Sequence, residues 1–288
     1  MLTWGQAIFL AVVQGVSELF PVSSLGHTVI LPTILGWKGV QQSTDYLPFV
    51  VMLHLGTAGA LVWFYRKRWT GIIGAFVQSA IRGRLQHTPQ EHLAWLLFFG
   101  TIPAGIIGAV LEHPLKRLFA TPVIAGIFLI VNGIIMLLTE RLRQQQLHTT
   151  RDAEVAGTGA LRRLADLRWV DATWVGMAQA LALLPGISRS GVTICAGLLS
   201  KLDHEDAANY AFMLATPIIL AAGLLEAPQL VVAGGQTLMT AVVGGVLAGV
   251  TAYLSVRFLT QYFRVGRLNP FAYYCVVAGV IGIIFGLR

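Results

Sequence analysis

Charge is what this sequence has least of. Only 11% of its 288 residues are Asp, Glu, Lys or Arg, against about 25% in an ordinary soluble domain, and this excludes a water-soluble globular chain. Cysteine is nearly absent as well. Cys195 and Cys275 both fall in apolar segments, so a disulfide framework is excluded and the two read as buried free thiols without a role. No basic stretch precedes the first apolar run, so no cleavable signal peptide is evident and the N-terminus is expected to be retained. In place of charge, 56% of the chain is hydrophobic and its mean hydropathy is +0.71. The expectation is an all-α integral membrane protein.

Crossing about 30 Å of hydrocarbon takes about 20 apolar residues in a helix. Six runs meet that length, near 46–65, 94–111, 122–139, 210–226, 238–256 and 270–287. Two further apolar stretches, 4–36 and 171–199, are each broken by a Pro followed by small and hydroxylated residues. A break of that kind frees backbone groups that lipid cannot satisfy, so it belongs inside protein or beside water. Both stretches are expected to enter and leave the membrane on one side. The polar segment about 140–169 reads as a linker with a disordered or loosely helical middle. In "SKLDHEDAANYAF", Asp203, Glu205 and Asp206 fit the start of a helix and read as capping and dipole complementarity.

The excess of base, formally +7, is a topology signal rather than a nucleic-acid footprint. If the two broken stretches re-enter, segments 66–93, 140–171, 200–209 and 257–269 share one side and carry 15 of the 20 basic residues. The other side has Lys38, Lys116, Arg117 and Arg288, and Arg189 alone lies at membrane depth. The positive-inside rule makes the first side cytoplasmic. Both termini then face outward, which in a bacterium means the periplasm or cell exterior.

The two breaks resemble each other. "ELFPVSSLG" (18–26) aligns with "ALLPGISRS" (182–190), matching Leu19 to Leu183, Pro21 to Pro185 and Ser24 to Ser188. Three crossings follow each, so the breaks enter from opposite sides. This is an inverted-topology repeat within one membrane domain, 1–288, with repeat 1 about 1–139, the linker about 140–169 and repeat 2 about 170–288. In such repeats broken helices meet near the midplane and point their N-termini at an anionic group.

Gln14 and Glu18 are four apart and share a helical face. After the Pro, Ser23, Ser24 and His27 are spaced to share a face of the next turn. In the second break Ser188, Arg189, Ser190 and Thr193 are flanked by Gly186 and Gly191, which permit close backbone approach. An Arg at membrane depth costs several kcal/mol unless paired, and guanidinium, hydroxyls and helix N-terminal amides together describe a phosphate or diphosphate site. Taken singly, Ser17, Thr28 and Ser190 read as back-bonded or packed hydroxyls. Glu18 and Arg189 have a competing reading as a structural ion pair, His27 one as a packing residue, and His54 stays open between the two kinds of role. The joint occurrence at opposed helix breaks favours a site.

"QGVSELFPVSSLGH" (14–27) and "PGISRSGVT" (185–193) resemble the two signature motifs of the undecaprenyl-diphosphatase family, also called the bacitracin-resistance proteins. "FVVMLHLGTAGALVWFYRKRW" (49–69), "GTIPAGIIG" (100–108) and "FMLATPIILAAG" (212–223) fall in that family's order and spacing. The resemblance implies a membrane phosphatase that removes the terminal phosphate of undecaprenyl diphosphate, recycling a lipid carrier for peptidoglycan and other envelope polymers, in a bacterial inner membrane with its cavity open to the periplasm. It implies Glu18, Ser24, His27 and Arg189 as catalytic residues, with Gln14, Ser23, Gly186, Ser188, Ser190 and Thr193 binding substrate. A divalent cation, Mg²⁺ or Ca²⁺, is expected on Glu18 and the Gln14 oxygen, bridging the phosphates. The nucleophile stays open among Ser24 activated by His27, His27 itself and a metal-positioned water. Gln14 stands at the first of the family's two acid positions, where the motif admits either Glu or Gln, so activity is not excluded; His54 stands where an amide is expected, and Leu25 where a small or hydroxylated residue is more usual. Expected partners are the polyprenyl diphosphate, membrane lipids and a second copy in a homodimer, with no nucleic acid. The alternative is a polyprenyl-phosphate flippase using the same headgroup site, which does not require the Ser24 and His27 pair.

Overall fold

A computed structural model describes the backbone of residues 2–37, 39–40, 43, 46–83, 88–118, 121–154, 162–228 and 235–288, and the side chains of these except 112–118 and 147–154. The topology marker Lys38, the side chains of Lys116 and Arg117, and residues 155–161 of the expected linker lie outside what it describes. The molecule is all-α. Its helices are α1 (Trp4–Ser17), α2 (Ser24–Ile34), α3 (Tyr46–Phe64), α4 (Arg66–Arg82), α5 (Pro89–Leu118), α6 (Pro122–Glu154), α7 (Trp169–Leu181), α8 (Arg189–Leu199), α9 (His204–Glu226), α10 (Gly235–Tyr262) and α11 (Asn269–Gly286), with a 3₁₀ turn at Leu164–Asp166.

Six of these, α3, α5, α6, α9, α10 and α11, are long and apolar enough to cross a membrane, and they coincide with the six apolar runs. The two broken stretches form helical hairpins, α1–α2 and α7–α8. At 14, 11, 13 and 11 residues and about 1.5 Å per residue, none of the four reaches across a bilayer.

Two elements differ from the sequence reading. Helix α6 does not stop near 139 but continues to Glu154, because "ERLRQQQLHTTRDAE" is rich in good helix formers even though it is polar. Segment 66–93 contains α4, an amphipathic helix with Ile73, Val77 and Ile81 exposed on one face and a hydrogen bond from Trp95 Nε1 on α5 to Ser79 Oγ at 2.7 Å. Such a helix suits the membrane surface. The acids at 203–206 behave as expected in part. Asp203 caps α9 by accepting from Asp206 N at 2.7 Å, while Asp206 accepts from Leu164 N and Glu205 pairs with Arg264.

The helices exchange partners. Helix α1 packs on α10 and α7 on α5, while α2 meets α11 and α8 meets α6. Matching α1 with α7, α2 with α8, α3 with α9, α5 with α10 and α6 with α11 turns each of these contacts into its counterpart. The pairs α3 with α9 and α6 with α11 each join an element to its own counterpart and lie across the symmetry element. Helix α4 stands outside the scheme. Small residues let the backbones close: a Cβ on Gly126 of α6 would meet the Gly279 carbonyl of α11 at 2.7 Å, a spacing only glycine allows. This arrangement brings both hairpin tips to the centre, against α6.

Candidate active site

Each break is a capped helix start. Ser23 caps α2 by accepting from Gly26 N, and Ser188 caps α8 by accepting from Gly191 N, both at 3.2 Å. By role, then, Ser188 corresponds to Ser23. The sequence match of Ser24 to Ser188 is one residue out of register, because the second tip uses one more residue between its Pro and its cap. Ser23 has φ +66°, an uncommon conformation for a non-glycine residue and one that concentrates at functional sites. Gly186, at φ +105°, turns the second tip. Its side-chain direction is filled by α6, where a Cβ would lie 2.9 Å from Phe128 Cβ and 2.8 Å from Leu129 N. The tips themselves touch, since a Cβ on Gly26 would sit 3.2 Å from Gly186 Cα. Two helix N-termini therefore converge, each with a partial positive charge.

One side chain clamps both tips. Asn132 on α6 donates from Nδ2 to the Pro21 carbonyl at 3.1 Å and accepts from Ser188 N at 3.0 Å. Ser190 Oγ donates to the Phe20 carbonyl at 3.1 Å and shares a 3.1 Å hydrogen bond with Ser188 Oγ. Thr193 Oγ1 donates back to the Arg189 carbonyl at 2.7 Å. Ser17 and Thr28 bond back to Val13 and Leu25 carbonyls, as hydroxyls in membrane helices commonly do.

Glu18, the cap of α1, is the hub. Its Oε2 accepts from Ser24 Oγ at 2.6 Å and from Gln14 Nε2 at 2.9 Å, with His54 Nε2 at 3.6 Å; its Oε1 faces Arg189 Nη2 at 3.4 Å. The Glu18 side chain is 4% exposed and that of Arg189 24%, so the acid is enclosed while the guanidinium keeps an open face. His54 Nδ1 lies 2.9 Å from the Val50 carbonyl. A carbonyl can only accept, so Nδ1 carries the hydrogen and Nε2 is the edge turned to Glu18.

His27 is placed differently from the Ser24-activating role. Its Nδ1 donates to the Ser23 carbonyl at 2.7 Å and its Nε2 lies 2.7 Å from the Tyr274 hydroxyl of α11. Both ring nitrogens are engaged, and the Ser24 hydroxyl is bonded to Glu18 instead. Of the expected site residues, Gln14, Glu18, Ser24 and Arg189 form one contact set; Ser23, Gly186, Ser188, Ser190 and Thr193 build and tie the tips; His27 stands beside them on Tyr274. Asn132 and Tyr274 escaped the sequence reading, and His54, left open there, lies against Glu18. The signal for Asn132 was an isolated amide in the apolar run "IAGIFLIVNGIIMLL". Cys195 and Cys275 are free and buried.

The donors do not fit a cation held by the protein. A hard divalent ion takes six or more oxygens, and among the described residues no three His, Cys, Asp or Glu side chains gather for one. Glu18 offers a single carboxylate that already faces a guanidinium, and the Gln14 amide turns its NH₂ toward it.

What the arrangement provides is a hydroxyl beside a carboxylate, a fork of guanidinium donors and two helix N-termini, all at membrane depth. Residues 7–281 match the family model described as bacitracin resistance protein BacA. A relative from Chromobacterium violaceum named undecaprenyl-diphosphatase 2 is 43% identical, covering 98% of both chains. One of the same name from Burkholderia orbicola is 46% identical over 95% of this chain and 93% of its own, and one from Frankia alni is 40% identical over 97% of each. With the hairpins, the Glu18 hub and matches of that length in agreement, the chain belongs to the bacitracin resistance protein BacA family.

Proposed function

We propose that the chain is an undecaprenyl-diphosphate phosphatase, an enzyme that cleaves the terminal phosphate from undecaprenyl diphosphate to leave the monophosphate. The observation that carries this reading is the 2.6 Å hydrogen bond from Ser24 Oγ to Glu18 Oε2 beside the open guanidinium of Arg189. Headgroup binding by a flippase has no use for a hydroxyl held on a buried carboxylate; nucleophilic catalysis does. The names of the relatives agree with it.

In this mechanism Arg189 binds the terminal phosphate through its fork, and the α2 and α8 N-termini add their amide dipoles. Ser24 Oγ attacks the terminal phosphorus while its proton passes to Glu18 Oε2. The bond to the bridging oxygen breaks, and the polyprenyl monophosphate leaves with the electron pair. Water then attacks the phosphoserine phosphorus as the bond to Ser24 Oγ breaks; Glu18 returns its proton to the departing Ser24 oxygen, and the water's oxygen and hydrogens leave with the released phosphate, restoring hydroxyl and carboxylate. Arg189 stabilises charge on the equatorial oxygens in both steps. Gln14 and His54 orient Glu18, and Tyr274 fixes His27 at the edge of the site. No step is routed through Mg²⁺ or Ca²⁺, since the donor set does not fit one. A cation requirement belongs to the diphosphate itself.

The chain is a multi-pass membrane protein; we place it in the bacterial inner membrane as two repeats of opposite orientation, about 1–139 and 170–288, with the site open to the periplasm, on the strength of the basic-residue distribution. A homodimer is kept as part of this proposal. The test is phosphate release from undecaprenyl diphosphate by the purified protein in detergent. A folded preparation that binds the substrate and releases no phosphate overturns the reading in favour of a carrier.

A further inference from the structure

A second polar cleft shares no residue with the hairpin tips. The polar end of α6, the start of α9 and the turn between α10 and α11 enclose about 260 Å³, lined by Glu140, Arg143, Asp203, His204, Arg264 and Arg267 among others. A water occupies about 30 Å³ of liquid, whereas drug-sized pockets begin near 300 Å³. The cleft is therefore sized for a headgroup.

Its hydrogen bonds engage the acids directly but leave two of its three arginines without a carboxylate in contact. Arginine only donates, so the 2.8 Å contact of Arg143 Nη1 with His204 Nδ1 makes that nitrogen an acceptor. His204 then carries its hydrogen on Nε2 and donates it to Glu140 Oε1 at 2.7 Å, where Leu268 N also donates at 2.7 Å. Asp203 is occupied by the α9 cap, and Glu205 pairs with Arg264 at 3.2 Å. Every acid of the cleft is thus engaged. Arg143, which is only 6% exposed, has a neutral imidazole as its partner, and no carboxylate of the described residues lies within ion-pair distance of Arg143 or Arg267. Glu140 and Asp203 attract Arg143 through space, yet neither touches it, so most of its fork is left for a ligand, and guanidinium forks match phosphate oxygens.

We infer that this cleft binds a phosphate-bearing anion between Arg143 and Arg267. The chemistry is shared by the headgroup of an anionic phospholipid and by free phosphate, and basic pockets between helices at the cytoplasmic surface suit the former. The inference stands apart from the phosphatase reading, because the cleft shares no residue with the Glu18 site.

The test uses the full-length protein, delipidated in detergent, with Arg189→Ala as background so that the other anion site is silent. Native mass spectrometry follows binding of phosphatidylglycerol, with phosphatidylcholine as the neutral control, and equilibrium dialysis follows radiolabelled inorganic phosphate. Saturable binding of either probe at one per chain, weakened at least about tenfold by Arg143→Gln and by Arg267→Gln, supports the site; the probe that binds identifies the source. Arg267 is exposed, so its variant keeps the test alive if Arg143→Gln fails to fold. Binding that is equal in all variants, or absent for both probes, overturns it. With Arg189 intact, Arg267→Gln is expected to leave phosphate release at the wild-type rate.

Discussion

Ser24 and Glu18 lie on opposite sides of a helix break, six residues apart in the chain, and are joined by a hydrogen bond of 2.6 Å. Pro21 ends one helix and Ser23, at positive φ, starts the next, and the turn between them folds the hydroxyl back onto the carboxylate. Removing either end should stop the first chemical step. Ser24→Ala and Glu18→Gln are both expected to lower kcat by a hundredfold or more, on the order of what a positioned base supplies, with substrate binding retained. A Glu18→Gln enzyme with wild-type kcat would show that the proton goes elsewhere.

Arg189 has its face open toward the site while one Nη holds Glu18. Arg189→Ala should cost about a hundred- to a thousandfold in kcat, the scale of losing one transition-state donor. Arg189→Lys should recover little of this, since an ammonium cannot span two phosphate oxygens. Phosphate release by Arg189→Lys within about threefold of wild type would argue for a point charge rather than a fork.

Asn132 touches neither Glu18 nor Ser24, yet it satisfies the Pro21 carbonyl and the Ser188 N–H. Asn132→Leu fits by size, leaves the buried Ser188 N–H unmet at about 1–3 kcal/mol, and leaves the Pro21 carbonyl with only the weak Cys275 thiol donor at 3.6 Å. Lower thermal stability in detergent and loss of turnover should appear together. Asn132→Asp should rescue neither, because a carboxylate cannot donate to Pro21.

A cation that belongs to the substrate should be invisible without it. Calorimetric titration of the apo protein with Mg²⁺ or Ca²⁺ is expected to show no stoichiometric site tighter than about a millimolar dissociation constant, the weak end for oxygen-ligand sites. Gln14→Glu supplies a second carboxylate on the same helical face and should create measurable affinity. A tight site in the wild type would restore Glu18 and Gln14 as ligands.

The orientation can be read by labelling single cysteines in a background lacking Cys195 and Cys275. Cysteines at 38 and 232 should react with an impermeant thiol reagent from outside intact cells, and those at 84 and 150 should not. Labelling at 84 from outside would break the parity on which the opposed hairpins rest.

The spans were legible because lipid demands an unbroken apolar run, and the hairpins because a Pro followed by hydroxyls is affordable only away from lipid. The Glu18, Ser24, Gln14 and Arg189 set was legible for the same reason: each is costly at that depth. What stayed hidden depends on contacts remote in sequence. The register of the second cap turns on one residue. His27 meets Tyr274 across 247 positions, and nothing in "SLGH" points to α11. Helix α4 escaped because its apolar face is half a helix wide, too little for a span.

The exchange of α1 and α7 between the halves also sets a timetable. The backbone of α1 at Gly15 lies against Ala248 and Ala252 of α10, more than 230 positions later in the chain. At about 5–20 residues per second of synthesis, the first hairpin waits roughly 10–50 s before the surface that covers it exists. Arg189, earlier in the chain than α10, is made before that surface is complete, but still 171 positions after Glu18. The newborn N-terminal half therefore holds Glu18 on Gln14, Ser24 and His54 alone, and the site is completed only when the second hairpin and the helix that covers the first have both been made.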